Sequence, residues 1–214
     1  FQTTGPSPAM CYLYLGYDEE IDLPAHIVWH MPTYAGVDPY DLDAADKVYK
    51  SEMRFKGMGG YSLSPSARDP VYRQRCPGKS TAKVLAEAPA GWVKRYREDP
   101  SFRPEFEAGV RENLMVLAEK HFPMLKGKKP AVARTGVPVG CNPRAWGGCS
   151  LGIEPSGDHF TRDTHWLRPK TLIDGLWLTG QDSFSAGICG SMVSGSLTYA
   201  AITGDWLFML DNRL

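Results

Sequence analysis

The sequence predicts an α/β protein: a mixed sheet with helices packed on it, finished by a strand, a tight turn and a long helix. Three observations predict it. Short runs of aromatic and other β-favouring residues recur through the first ninety positions, each cut off by Gly, Pro or Ser. Pro104–Phe122 (PEFEAGVRENLMVLAEKHF) repeats its apolar residues at helical spacing. Gly175–Gly204 runs from an apolar strand pattern through a polar turn into a helix rich in small side chains.

Taken in order, Ala9–Tyr17 (AMCYLYLGY) reads as a strand. His26–Met31, following Pro24, reads as a second, short one. Asp38–Lys50 suits a helix, with Pro39 near its start and Leu42, Ala45, Val48 and Tyr49 at near-helical intervals. Gly57–Gly60 breaks that pattern, and Tyr61–Ser66 gives a strand ending in a Ser/Pro turn. Cys76-Pro77-Gly78 reads as a turn, and Trp92–Asp99 as a short charged helix or loop. In Pro104–Phe122, Phe106, Val110, Leu114, Leu117 and Ala118 share one face, and Pro123 and Gly127 end the helix. Ala131–Ile153 is irregular. Leu176-Trp177-Leu178-Thr179 then reads as a strand, Gly180–Ser183 as a turn, and Gly187 onward as the small-residue helix.

Composition excludes several function classes. Lys plus Arg and Asp plus Glu number 24 each, so charge gives no case for nucleic acid or an anionic surface. The five cysteines are odd in number and scattered. Cys141 and Cys149 lack the second close pair of a zinc site, so free thiols in a reducing compartment are expected. The five histidines do not cluster along the chain; His26 and His30 flank a strand pattern and make no metal pair. No metal site is expected. The longest apolar stretch, Ile188–Leu210, is broken by glycines, serines, Thr203 and Asp205, which argues against a membrane span. The first residue is Phe, so a processed chain or part of a longer product is expected, with no signal or transit peptide in view. Ser183 and Ser185 lack a nucleophile elbow, and Asp182 is a lone carboxylate. Cys189 near a helix start reads as a packed thiol, with a lowered thiol pKa as the competing reading.

The segment Gly175-Leu176-Trp177-Leu178-Thr179-Gly180-Gln181-Asp182, followed by Gly187-Ile188-Cys189-Gly190, matches a known pattern in order and spacing. It resembles the C-terminal flavin-contacting segment of the carotenoid isomerase, phytoene desaturase and retinol saturase family of FAD-dependent oxidoreductases. Leu167-Arg168-Pro169-x-Thr171 resembles that family's approach to this strand, and Ser64–Pro70 and Cys76–Thr81 are similar to its turns, the second of which implies a strand at Ala82–Ala88. The chain departs from the family at Thr135-Gly136-Val137-Pro138, where the Pro and the second Thr of a Thr-Pro-x-Thr turn are displaced or missing. The resemblance runs from about Ser7 to Gly204.

That resemblance implies a substrate-domain-like region at 1–134 and a flavin-contacting region, part of an incomplete FAD domain, at 135–214. It implies FAD contacts at Gly180, Gln181, Asp182, Gly187, Ile188, Cys189, Gly190 and Ser191. Asp182 would lie near the ribityl-pyrophosphate, and the Gly187–Ser191 backbone would face the pyrimidine edge of the flavin. No catalytic residue is assigned. The Gly-x-Gly-x-x-Gly turn that anchors the ADP half is not found: Gly57, Gly59 and Gly60 neither follow a strand at that spacing nor open a helix. The N-terminal Rossmann unit is therefore expected to be absent, and FAD to bind only if that part is supplied. Its cradle contributes several charge-assisted hydrogen bonds, each worth about 1.5–3 kcal/mol.

Two functions follow as expectations. The first is a truncated, non-catalytic relative serving as a structural or pigment-associated subunit of a larger assembly. The alternative is the C-terminal part of an active FAD-dependent polyene isomerase, desaturase or saturase completed by a dinucleotide-binding part. Expected partners are other protein subunits, a carotenoid or other polyene, and a peripheral membrane surface, but no nucleic acid. Carotenoid ancestry implies a plastid; the alternatives are an endomembrane or the cytoplasm.

Overall fold

The computed structural model describes residues 7–52, 55–88, 90–137, 152–154 and 167–206. The chain forms two compact units, Ala9–Pro143 and Phe1–Pro8 with Arg144–Leu214. Cys141, Cys149, Pro138, His159 and His165 lie outside the described residues.

The larger unit is a five-stranded sheet in the order β2-β3-β4-β1-β5, every neighbour antiparallel. Its strands are β1 (Ala9–Tyr17), β2 (Val28–His30), β3 (Gly60–Leu63), β4 (Ser80–Ala88) and β5 (Val132–Gly136). β1 and β4 pair along their whole length, from Ala9 opposite Ala88 to Tyr17 opposite Ser80. Alternation then sets the faces. Cys11, Leu13 and Leu15 of β1 and Ala82, Val84 and Ala86 of β4 point to one side and are buried.

Helix α5 (Phe102–His121) lies on that side through Phe106, Val110, Leu114, Leu117 and Ala118, all buried. The alanines of β4 let the helix approach closely, because their side chains leave room for its large ones. Helices α1 (Leu42–Glu52) and α4 (Ala90–Glu98) add Tyr49 and Trp92 to an aromatic cluster. Trp92 meets Tyr49 at 5.1 Å, Phe55 at 4.9 Å and Phe106 at 6.0 Å, all edge-on. Such pairs add about 0.5–1.5 kcal/mol each beyond burial. Gly109 of α5 lies against the Phe55 ring, with which a Cβ would collide. The Tyr96 hydroxyl donates to Glu107 Oε1 at 2.5 Å; burial and that carboxylate push the phenol to about 12.

Element ends follow local chemistry. Asp41 Oδ1 accepts from the Ala44 amide at 2.9 Å and caps α1. Ser64 ends β3 and caps the one-turn helix α2 (Pro65–Arg68), its Oγ accepting from Ala67 N. The strand expected over Tyr61–Ser66 therefore stops at Leu63, because Ser64-Pro65 is a helix start. A second single turn, α3 (Tyr72–Arg75), precedes β4. Phe122 closes α5 by donating its amide to the Ala118 carbonyl.

In the smaller unit, Leu176–Thr179 makes no full strand. Its described pairing is one bridge, Lys170 with Trp177, and a bond from Leu178 N to Pro169 O at 2.8 Å. A single-turn 3-10 helix, Gln181–Ser183, leads into α6 (Gly187–Thr203). Gly204, left-handed at φ 77°, ends α6 by donating its amide to the Ala200 carbonyl. Among the described residues no helix is long and apolar enough to cross a membrane.

Candidate functional site

The residues expected to touch a cofactor converge at the turn into α6, and the chain's own hydrogen bonds explain much of their chemistry. Gly180 sits at φ 101°, which favours glycine, and its amide donates to Ser194 Oγ at 3.0 Å. Ser183 Oγ donates to the Gly180 carbonyl, so Ser194 is the donor in the 2.5 Å contact between the two hydroxyls. Thr198, one turn on, donates to the Leu178 carbonyl or to that of Ser194, each at 2.8 Å. The small residues of α6 thus hold the 178–183 backbone against the helix.

Gln181 turns back so that its Oε1 accepts from the Gly187 amide at 3.2 Å. Asp182 Oδ1 accepts from the Ile153 amide at 2.9 Å, and its carboxylate lies against the Cα of Gly152, itself at φ 75°. Gly190 meets the Ser185 carbonyl where any Cβ would sit. Ser191 Oγ donates to the Gly187 carbonyl at 2.9 Å. Ile188, at 82 % exposure, and Cys189 face outward.

The start of α6 carries backbone amides with no side-chain cap. Ala186 brings no side-chain cap to the helix start, so amides beyond Gly187 retain the partial positive charge of a helix N-terminus. A Cβ built on Gly180 or Gly187 meets no atom of the described residues within 4 Å.

A second surface emerges from the sheet register. On the face turned away from α5, Trp29 lies opposite Tyr61, Tyr61 opposite Leu85, Leu85 opposite Tyr12, and Tyr12 opposite Gly136. At the usual strand spacing the run from Trp29 to Tyr12 spans about 14 Å. The Trp29 and Tyr61 rings are 4.5 Å apart, and Tyr12 stacks on Tyr14 at 5.8 Å and 14°. Lys83 Nζ sits 4.8 Å from the Tyr12 ring centre, a cation–π contact. Gly136 ends the row because a side chain there would press on the Tyr12 ring. Burial raises the Tyr61 phenol above its ordinary value, and the Glu87 charge adds to that, so the hydroxyl stays neutral at pH 7. Trp29 is 70 % exposed.

Sequence reading assigned nothing to this row. Its signal was present in AMCYLYLGY, where alternation puts Cys11, Leu13 and Leu15 on one face and Tyr12 and Tyr14 on the other. A strand apolar on both faces has two surfaces to bury.

No family model matches the chain. Comparison with characterised sequences finds relatives that share one name. The relatives are all-trans-retinol 13,14-reductases. The rat protein is 30% identical over 176 residues, covering 76% of this chain and 28% of that protein. The Macaca fascicularis protein is 29% identical over 203 residues, covering 87% and 32%, and the human protein 29% over 192 residues, covering 81% and 31%. The chain therefore spans about a third, or less, of the length of these relatives. Within the family resemblance drawn from the motifs, they represent its retinol saturase arm.

Proposed function

We propose that this chain forms the polyene-facing and flavin-contacting portion of a flavin-dependent oxidoreductase acting on a retinoid. The aromatic row Trp29–Tyr61–Leu85–Tyr12 carries the reading. It offers aromatic rings on either side of the buried Leu85, with the Lys83 ammonium beside Tyr12, and an apolar polyene gains by leaving water to stack on them. Similarity to the all-trans-retinol 13,14-reductases supports the retinoid as substrate class. FAD, when bound, supplies the two-electron chemistry. Gly180, Gln181 and Asp182 would hold its ribityl-pyrophosphate side, and the Gly187–Ser191 amides would meet the electron-rich edge of the ring. No Gly-x-Gly-x-x-Gly turn occurs in these 214 residues, so residues beyond them would hold the ADP half. A retinoid substrate favours an endomembrane compartment over a plastid.

The test measures all-trans-retinol binding by fluorescence transfer from tryptophan, alongside release of FAD from denatured native material. Wild type binds retinol, and Tyr12→Ala and Tyr61→Ala each weaken binding about tenfold, the loss expected for one stacked ring of about 1.4 kcal/mol. Equal binding by both variants overturns the assignment of the strip. Retinol binding by native material that releases no FAD would instead support the non-catalytic, pigment-associated subunit.

A further inference from the structure

Helix α5 ends at His121, where its last turn meets the edge strand β2. His121 Nδ1 lies 2.7 Å from the Oγ of Ser62, a hydroxyl fully buried in β3. The His30 ring approaches the His121 ring edge-on at 5.7 Å, and Lys120 Nζ is 3.4 Å from His30 Nε2. The remaining ring nitrogen of His121, Nε2, is buried without a hydrogen-bond partner. His30 belongs to a strand of three residues that joins the sheet through β3. Histidines that look unrelated along the sequence are therefore gathered at one corner of the sheet.

We propose that His30, His121 and Lys120 form an acid-sensitive latch, in which protonation of the two imidazoles releases the edge strand β2 from the end of α5.

The closed latch favours neutral imidazoles. A neutral His121 satisfies Nδ1 through Ser62; protonation puts an N–H on both nitrogens and leaves a charged donor buried at Nε2. The charged groups facing the pair act in the same direction, His30 from β2 and Lys120 from α5, while the Ser62 hydroxyl of β3 is uncharged and can accept from either form of His121. Burial holds both imidazoles below their usual pKa; Lys120 adds to this at both rings, and His30 at His121. The dipole at the C-terminus of α5 favours a charged His121, but it is the weaker influence.

The sign follows from linkage. Both imidazoles titrate lower in the folded chain than in the unfolded one, so their contribution to closure is complete above the ordinary imidazole value. It is lost as pH falls through that value towards the folded ones. Opening brings water to Nε2 and separates the like charges. Because Trp29 is in β2, the released strand takes one end of the aromatic row with it. The latch itself stands whether or not that row binds a retinoid.

Hydrogen exchange on the full chain, resolved by residue and corrected for intrinsic rate, tests the proposal. Between about pH 7.5 and pH 5.5, protection at residues 28–30 and at their β3 partners falls about tenfold relative to the β1–β4 ladder. Lys120→Met, which removes the ammonium beside His30, shrinks that loss. His30→Asn, which removes one of the two titrating rings at a partly exposed site, shrinks it further. An unchanged profile in His30→Asn overturns the latch, as does a loss of protection spread evenly over the sheet.

Discussion

At the scale of single residues, Gly152 and Asp182 form one contact seen from two sides. Gly152 holds φ at 75°, and a Cβ there would strike the Asp182 carboxylate. Asp182 in turn accepts from the next amide, Ile153. Gly152→Ala therefore meets backbone strain of about 1 kcal/mol and a steric clash of about 1–3 kcal/mol. Asp182→Ala loses a hydrogen bond worth about 1 kcal/mol. The two substitutions should not add. With Asp182 removed, the cost of Gly152→Ala drops to its strain component, and a double-mutant cycle by urea denaturation reads the difference. Additive values would show that Asp182 does not hold this position. Gly190 behaves differently, because its obstacle is the Ser185 backbone carbonyl, which cannot swing away. Gly190→Ala should cost about 1–3 kcal/mol in any background and lower the thermal midpoint of the α6 unit.

At the scale of elements, α5 is the member on which the larger unit depends. Phe106 is fully buried and meets Trp92, Tyr96, Phe102 and Phe55 edge-on. Phe106→Ala should destabilise the unit by about 3–5 kcal/mol, since a large cavity opens among rings that cannot collapse into it. Phe106→Leu should recover much of that loss, and chemical denaturation followed by circular dichroism compares the two. α5 was legible from sequence because Phe106, Val110, Leu114, Leu117 and Ala118 recur at the helical period within one unbroken stretch. β1 was legible by composition and β4 through the likeness of its preceding turn to the family's, but which face each tyrosine would take depended on register with a strand far away in the chain. Leu176–Thr179 has the composition of a strand, yet the described chain pairs it only at Trp177, because a strand is made by its neighbours as well as its residues. The turn at 180–191 was legible as a motif. That its serines and Gln181 bond to α6 itself was not, since a hydroxyl suited to a ligand is equally suited to the backbone beside it. The pairing of His30 with His121 left no local trace, because it arises from the crossing of α5 over the edge of the sheet.

At the scale of the whole molecule, charge and exposed apolar surface act together. The formal net charge is zero and the isoelectric point about 7.1, so near pH 7 little long-range repulsion keeps copies apart. α6 is amphipathic in an unusual sense. Its small and hydroxyl side, Gly190, Ser194 and Thr198, is buried, while Ile188, Met192, Tyr199 and Ile202 line an exposed side at helical intervals. An apolar stripe on a chain without net charge promotes self-association. Ile188→Glu with Met192→Glu addresses both causes, adding two negative charges at positions 82 % and 69 % exposed. Glutamate is a good helix former, and at position 188, in the first turn, it meets the positive end of the helix dipole, so α6 itself should persist. Light scattering across a concentration series should show a larger monomeric fraction for this variant at pH 7. Raising the pH of wild type to about 9 should achieve part of the same effect by charge alone, leaving the stripe in place. If the pH change matches the variant in full, charge is the governing cause; if it does nothing while the variant disperses, the stripe governs. Association unaltered by either would mean that contacts between copies form elsewhere on the surface.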